Sequence, residues 1–428
     1  MPPSRHDYLE ELRWRGLIHQ ATDEEATRAH LAESRHVYCG FDPTADSLTI
    51  GNLVPIMMLV HAQRAGHRPV VVMGGATGLI GDPSGKSAER TLQTREMVEG
   101  NLHGQRRIFE RLLDMSGPHG AVIVNNLDWI GRLSFIDALR DIGKHFSVNV
   151  MIQKESVRER LHNRDQGISY TEFSYQLLQA YDFLHLRREL GVTVQVGGSD
   201  QWGNIVAGAD LVRRVLGEDA FGVTAPLVTK ADGGKFGKTE SGAIWLTADR
   251  TSPYAMYQFW LNADDRDVPR FLRIFTLLPR ADVDALIDVH AMDPGARTAH
   301  RALARAATAM IHGDDEAQAA EKAAAALFSG DVASLPEASL REAFAEAPSS
   351  DHSRALLGGE GVSLVDLLVE VGLAKSKRES REFLANGSVS VNGEKVGPDD
   401  PLTPARLLHG GLILLRRGKK NWHVTRWG

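Results

Sequence analysis

With 428 residues, the chain is long enough for two or three domains and a large apolar core. Its 43% apolar and 24% charged residues describe an ordinary globular protein. There is no run of about 18 apolar residues and no apolar centre in "MPPSRHDYLEELRWRG", so a cytoplasmic protein with no membrane partner is expected. One cysteine, Cys39, excludes an internal disulfide and a Cys-based zinc site, and a net charge of −6 argues against a uniform coat of nucleic acid.

In chain order, short apolar runs alternate with helical patterns through the first half. "HVYCGFD" (36–42), "PVVVMGG" (69–75), "GAVIVNN" (120–126) and "VTVQVGG" (192–198) are rich in β-branched residues and end in turn formers. Between them, "LVPIMMLVHAQRAG" and "IDALRDIGKHF" space their apolar residues as helices do. Strands separated by helices predict an α/β fold with a Rossmann-like parallel sheet over residues 1–226. Ligands of such sheets sit beyond the carboxyl ends of the strands, so the residues after each run are the first candidates for a site. A glycine-rich loop at 227–246 follows, then an α-helical domain at 247–330 and a Ser/Ala/Gly/Pro-rich linker with one weak helix at 331–361. Residues 362–428 read as two helices and a hairpin turning at Asn392-Gly393, a small α+β module. From Ser363 onward there are 11 Lys/Arg against 7 Asp/Glu, so a basic module sits on an acidic body and suits a partner carrying phosphates.

The residues after each strand carry the chemistry. "DPTADSLTIGNLVP" (42–55) has the frame of a phosphate-holding turn, with uncharged Thr49, Gly51 and Asn52 at its centre. "GGATGLIGDPSGKSAER" resembles a P-loop at Gly85-Lys86-Ser87, but the first glycine should stand where Ile80 is. What remains is a glycine-rich loop in which Asp82 could hold an ammonium, and Lys86 and Arg90 could face phosphate. In "TEFSYQLLQAYDF", Tyr175, Gln179 and Asp182 fall at i, i+4 and i+7, one face of a helix. That face is either a polar ligand pocket or a solvated surface. "QVGGSDQWGN" adds Gln195, Asp200 and Gln201 at a strand end. In "LVTKADGGKFGKTESG", Lys235, Lys238 and Thr239 on a glycine loop suit transient binding of a polyphosphate. No HExxH spacing occurs among the 17 histidines, and no G-x-S-x-G, so neither a metal nor covalent catalysis is expected.

With these strings in order along the whole chain, the sequence closely resembles the bacterial tyrosyl-tRNA synthetases, a family of class I aminoacyl-tRNA synthetases. "YCGFDPTADSL" leads into the position of the family's HIGH motif, "KFGKT" occupies that of KMSKS, and the tail looks like an RNA-binding module shared with a ribosomal protein. The resemblance implies tyrosine activation by ATP, with Mg2+ carried on the nucleotide, then transfer to the terminal ribose of tRNA(Tyr) by a homodimer paired near "GKHFSVN" and "GISYTEF". It implies that Tyr38 and Asp182 grip the phenolic hydroxyl, that Asp82, Tyr175 and Gln179 hold the ammonium, and that Asn126 and Gln195 support the pocket. Gln201 would lie by the tyrosine and ribose. Asp200 and Gly198 would take the adenosine ribose, with Cys39 at its edge and Gly40, Asp42, Gly51, Phe236 and Gly237 around the nucleotide. Thr44, Lys86 and Arg90 would meet pyrophosphate oxygens, and Lys235, Lys238 and Thr239 would close over them. The helical part would lie on the anticodon side.

Buried groups built to bond a phenolic hydroxyl are left unpaired when phenylalanine binds, which is how such a pocket would reject it. No protein nucleophile is needed, because positioning and charge stabilisation suffice for attack of a carboxylate on the α-phosphorus. The family usually has His at both ends of its first signature, where this chain has Thr49 and Asn52. Asn52 can still donate through its amide. Outright loss of a phosphate contact at Thr49 would cost roughly 1.5–3 kcal/mol, about ten- to a hundredfold in rate, unless Thr44, Lys86 or water compensates. Alternatives are a catalytically retired scaffold acting as an RNA-binding protein, a P-loop ATPase or kinase, and tryptophan as the amino acid. Retained Lys235, Lys238, Asp82 and Asp182 argue against the first, and the Tyr38–Asp182 pair favours a phenol over an indole.

Overall fold

The computed structural model describes residues 7–84, 92–154, 157, 158, 161, 167–239, 242–345, 347–418 and 421–428. Two compact units form: residues up to Thr251 with Ala263–Leu303, and Ser252–Asn262 with Ala304–Gly428. The helical stretch 247–330 therefore contributes to both.

In the first unit, six strands make one sheet: β1 (Gln20–Ala21), β2 (His36–Phe41), β3 (Arg68–Met73), β4 (Val122–Asn125), β5 (Val192–Gly198) and β6 (Phe221–Ala225). Their order is β1-β6-β5-β2-β3-β4, parallel throughout except for β1 against β6. Strands β2 to β5 occupy the four apolar runs of the sequence. β1 is too short to show a period, and β6 hides within "FGVTA". Near-continuous burial along β3 and β5 follows from helices covering both faces of a parallel sheet. The strand order reverses between β2 and β5. There Tyr38 stands in register with Val70 on one side and Gln195 on the other. A crevice opens at such a reversal, beyond the carboxyl ends of the two strands.

The helix Tyr170–Leu190 precedes β5. Ser169 caps it by accepting from the Glu172 amide at 3.2 Å, and Gly191 ends it in the left-handed region at φ 64°. It packs on the helix Trp202–Leu216, where Gly208 permits the close approach: a Cβ there would lie 3.0 Å from the Phe183 ring. Phe183 in turn meets the Tyr38 ring edge-on at 5.0 Å, inside the core that carries Val70, Val72, Leu184 and Leu211. The predicted helix "IDALRDIGKHF" is instead an α turn (Phe135–Asp137), a π turn (Ala138–Ile142) and a 3-10 turn (Gly143–His145). Ile142 is its buried apolar residue, while Phe135, Ile136 and Leu139 face solvent, so no core registers a regular stripe.

The second unit holds a five-stranded sheet built from β9 (Ser349–His352), β10 (Val389–Val391), β11 (Glu394–Lys395), β12 (Leu412–Arg417) and β13 (Asn421–Trp427). The intervening β7 (Lys238–Thr239) and β8 (Gly242–Ala243) form a hairpin of the first unit. Order β11-β10-β12-β13-β9 leaves β9 parallel to β13, and the other pairs antiparallel. The hairpin does turn at Asn392-Gly393, both at positive φ, as a two-residue loop requires. The helices Leu364–Glu370 and Lys377–Ala385 pack their leucines on this sheet. Residues 331–361, expected as a linker, contain the helix Glu337–Ala343 and β9, which is hydrogen-bonded into the sheet. Composition alone could not show that β9 had a partner about 75 residues away.

Candidate active site

Asp182, nearly fully buried, sits midway along the helix Tyr170–Leu190. Its Oδ2 accepts from Asn126 Nδ2 at 3.0 Å and its Oδ1 from Trp129 Nε1 at 2.8 Å. Burial pushes its carboxyl up to about 7, against the pull of those two donors. Asn126 also donates to Thr77 Oγ1 at 3.0 Å and accepts from the Ala76 amide at 2.7 Å. Thr77 donates to Asp42 Oδ1 at 2.7 Å, and the Tyr175 hydroxyl donates to Asp42 Oδ2 at 2.9 Å. Trp129, Asp182, Asn126, Thr77, Asp42 and Tyr175 are thus one chain of hydrogen bonds. Gly74 makes room for it, since a Cβ there would lie 2.2 Å from Asp42 Oδ1 and 2.6 Å from Thr77 Oγ1.

Two buried polar atoms at the same sheet reversal have no partner among the described residues: the Tyr38 hydroxyl and Gln195 Oε1. Burial, with the Asp182 charge nearby, holds the Tyr38 phenol well above its ordinary value, so it stays a donor. Unpaired groups of this kind cost about 1–3 kcal/mol each unless a ligand meets them. The pocket therefore offers a ligand hydroxyl a free donor at Tyr38 beside the carboxylate of Asp182.

A second network lies at the mouth. Asp82 Oδ2 accepts from Gln201 Nε2 at 2.7 Å, and its Oδ1 accepts from the Ser84 amide at 2.9 Å. Gln201 Nε2 also reaches Asp200 Oδ2 at 3.3 Å, and Asn204 Nδ2 reaches Gln201 Oε1 at 3.4 Å. Asp82 lies close enough to raise the Tyr175 phenol, behind burial and Asp42 in effect. Across the crevice, Gly40 is exposed within β2, and a Cβ there would meet nothing within 4 Å, which leaves room for a ligand against bare backbone. Cys39 beside it is buried, and burial with Asp200 pushes its thiol up, so it is inert.

The two signature segments meet. The amide of Ile50 donates to Ile244 O at 2.9 Å, the amide of Ile244 to Gly237 O at 2.9 Å, and the amide of Leu246 to Leu48 O at 2.8 Å. Gly237, at φ 76°, lies so near that a Cβ would strike Ile50 Cγ2 at 2.5 Å. Phe236 stacks on Phe275 at 5.0 Å, which anchors this loop from behind. Thr49 and Asn52 face each other: Asn52 Oδ1 accepts from both the amide (3.0 Å) and the hydroxyl (2.9 Å) of Thr49. Lys235 and Lys238 are exposed and form no ion pair among the described residues. Thr239 pairs with Gly242 in the hairpin, and Gly51 and Thr44 are exposed at the rim. Gln179 is partly buried on the stripe of Tyr175 and Asp182, and Gly198 precedes Asp200 at the end of β5. Lys86 and Arg90 lie outside the described residues.

Sequence reasoning missed Trp129 and Thr77. Their place four residues beyond a strand end was a signal, but nothing local ties an indole to a carboxylate 53 positions later. Asp42, expected near the nucleotide, has its carboxylate oriented by Tyr175 and Thr77. Tyr175 spends its proton on Asp42 and keeps its oxygen lone pairs for a cation.

Two family descriptions match the chain: tRNA synthetases class I (W and Y) over residues 32–329, and the tyrosine–tRNA ligase SYY-like C-terminal domain over 339–425. It is 51% identical to the tyrosine–tRNA ligases of Bacillus caldotenax and Geobacillus stearothermophilus, over 98% of this chain and the whole of each relative. A C-terminally truncated mitochondrial tyrosyl-tRNA synthetase of Aspergillus nidulans superposes with a TM-score of 0.68 at 31% identity, covering 76% of this chain and 95% of that one. A tyrosyl-tRNA synthetase from Archaeoglobus fulgidus complexed with L-tyrosine shares the fold at 16% identity and a TM-score of 0.54, over 74% of this chain and all of that one. The chain belongs to the tyrosine–tRNA ligase family of class I tRNA synthetases.

Proposed function

We propose that the protein activates L-tyrosine with ATP to tyrosyl-adenylate and pyrophosphate, then transfers the tyrosyl group to the terminal ribose of its tRNA. The observation that carries this reading is the unpaired, buried Tyr38 hydroxyl beside Asp182, a carboxylate already fixed by Asn126 and Trp129. A phenol entering there donates to the carboxylate and accepts from Tyr38. An indole or a phenyl ring would leave one or both unpaired.

At the mouth, Asp82, Tyr175 oxygen and Gln179 receive the ammonium, and Gln201 lies between amino acid and ribose. Gln195 supports the pocket wall. Asp200, Gly198 and the bare backbone at Gly40 receive the nucleoside, with Cys39 at its edge. The substrate carboxylate attacks the α-phosphorus and pyrophosphate leaves with its magnesium, so the nucleotide itself brings the metal. Thr44, Thr49, Gly51 and Asn52 from one segment, and Lys235, Phe236, Gly237, Lys238 and Thr239 from the other, surround the leaving group. Lys86 and Arg90 join them by family resemblance. Charge building on pyrophosphate is met by cations that need no rearrangement of a buried network.

A second copy of the chain is the proposed partner of an exposed apolar surface. Phe135 and Ile136 are each 66% exposed, and Val148 and Val150 each 59%, more than an isolated surface readily leaves in water. Within the second unit, the basic stretch from Ser363 onward offers Arg416 over the Trp422 ring at 4.9 Å on one side of its sheet and Arg417 over Phe383 at 5.1 Å on the other, cations suited to the tRNA backbone. Tyrosine-dependent ATP–pyrophosphate exchange tests the function. Exchange with tyrosine and not with tryptophan is expected. tRNA binding without exchange would leave a retired scaffold in its place.

A further inference from the structure

The helix Trp202–Leu216 begins directly after Asp200 and Gln201, yet Gln201 gives its start no side-chain cap. The helix runs on from the 3-10 turn Ser199–Gln201, and the placement of this turn matters because Gln201 holds Asp82 at 2.7 Å and Asp200 stands exposed beside it. The Lys154 ammonium donates to Gly203 O in the first turn of the helix at 2.7 Å. Its stem lies along Gly203, 3.5 Å from where a Cβ would stand. No carboxylate pairs with Lys154 among the described residues, and desolvation lowers its ammonium to about 8. A cation beside the first turn of a helix opposes the helix dipole. An unpaired, partly buried lysine there is therefore poorly explained by helix stability.

We propose that Lys154 is a positioning residue, holding the turn that carries Asp200 and Gln201 through the carbonyl of Gly203. It rests on the proposed tyrosine activation and adds a member outside the site. Asn204 completes the hold from the other side, reaching Ser84 Oγ at 3.3 Å and Gln201 Oε1 at 3.4 Å, both long bonds. The short Lys154 bond is the firmer restraint. Lys154 also follows the exposed apolar residues Val148, Val150 and Ile152, so one side chain joins the proposed subunit surface to the catalytic turn.

The test uses the full-length protein and tyrosine-dependent ATP–pyrophosphate exchange. The wild-type rate tests the proposed function itself, so a failure at Lys154 is read separately from a failure of that function. Lys154→Met should raise the KM for tyrosine and for ATP about tenfold, the scale of one lost charge-assisted hydrogen bond, with the melting temperature nearly unchanged. Lys154→Arg keeps a cation that reaches the carbonyl and should restore most of both KM values. If Lys154→Met does not fold, Lys154→Gln is read in the same assay, with an intermediate KM expected. Wild-type KM values in Lys154→Met, or in Lys154→Gln where that variant is the one read, would overturn the proposal. So would a loss confined to tRNA charging, or Lys154→Arg as impaired as Lys154→Met.

Discussion

Around Asp182 the polar groups are buried and bonded to one another, from Trp129 through Asn126 and Thr77 to Asp42 and Tyr175. At the opposite end Thr44, Lys235 and Lys238 stand exposed, held by backbone contacts between two loops. The difference follows from what each end must recognise. A neutral hydroxyl offers one short-range bond and is distinguished only by groups fixed in advance and kept from water. A polyphosphate is felt over several ångströms, so exposed cations on a loop suffice.

The largest effect should come from breaking the buried end. Asp182→Ala leaves the Asn126 and Trp129 donors without their acceptor, at about 1–3 kcal/mol each, and removes the acceptor for the phenol. Tyrosine-dependent exchange should fall about a hundredfold or more, and the ratio of tyrosine to phenylalanine activation should collapse. Exchange kinetics with both amino acids measure it, and an unchanged ratio would remove Asp182 from recognition.

Gly237→Ala attacks the exposed end. The new Cβ would meet Ile50 Cγ2 at 2.5 Å on a residue at φ 76°, so the two loops must part or the backbone must strain. A cost of about 1–3 kcal/mol is expected, read as roughly tenfold slower exchange with tyrosine affinity unchanged by equilibrium dialysis. A matching loss of tyrosine affinity would show that the two ends are not independent.

How much of each end was legible follows the same division. Tyr175 and Asp182 could be read from helical spacing and Gln195 from its place at a strand end, while Tyr38 entered only through the resemblance to a family. Spacing and strand end are local patterns. Trp129 and Thr77 were not legible, because their bonds to Asp182 and Asn126 close across 53 and 49 positions. Lys154 is 49 positions from Gly203, with the same result. Thr49 and Asn52 were legible as a departure from a motif. That they bond each other needed coordinates.

A tenfold effect should come from pH alone. Burial raises the Asp182 carboxyl to about 7, so in the empty protein it is mostly protonated at pH 6 and mostly ionised at pH 8. A phenol donates to the ionised form, so the KM for tyrosine should fall about tenfold between those values. The sign for stability is opposite. The cost of burying this charge is absent below about pH 4, grows as pH rises, and is fully present above about 7. The stability of Asp182→Asn relative to the wild type should then be higher at pH 8 than at pH 5, by thermal unfolding. A tyrosine KM flat from pH 6 to 8 would break the link.

The smallest expected effects lie at Thr49 and Asn52, and they decide whether the exposed end tolerates exchange of its own residues. Asn52 Oδ1 takes both polar hydrogens of Thr49, so its amide nitrogen is the group left to face a nucleotide. Asn52→Ala removes that donor and frees the Thr49 amide and hydroxyl together. Exchange should slow about fivefold, near the net worth of one neutral hydrogen bond. Thr49→Ala removes only the hydroxyl and leaves the Asn52 brace on the backbone, so about twofold is expected. If Thr49→Ala proved the more damaging, its hydroxyl would be a phosphate ligand in its own right. Equal and negligible effects would leave Lys235 and Lys238 to carry the leaving-group charge.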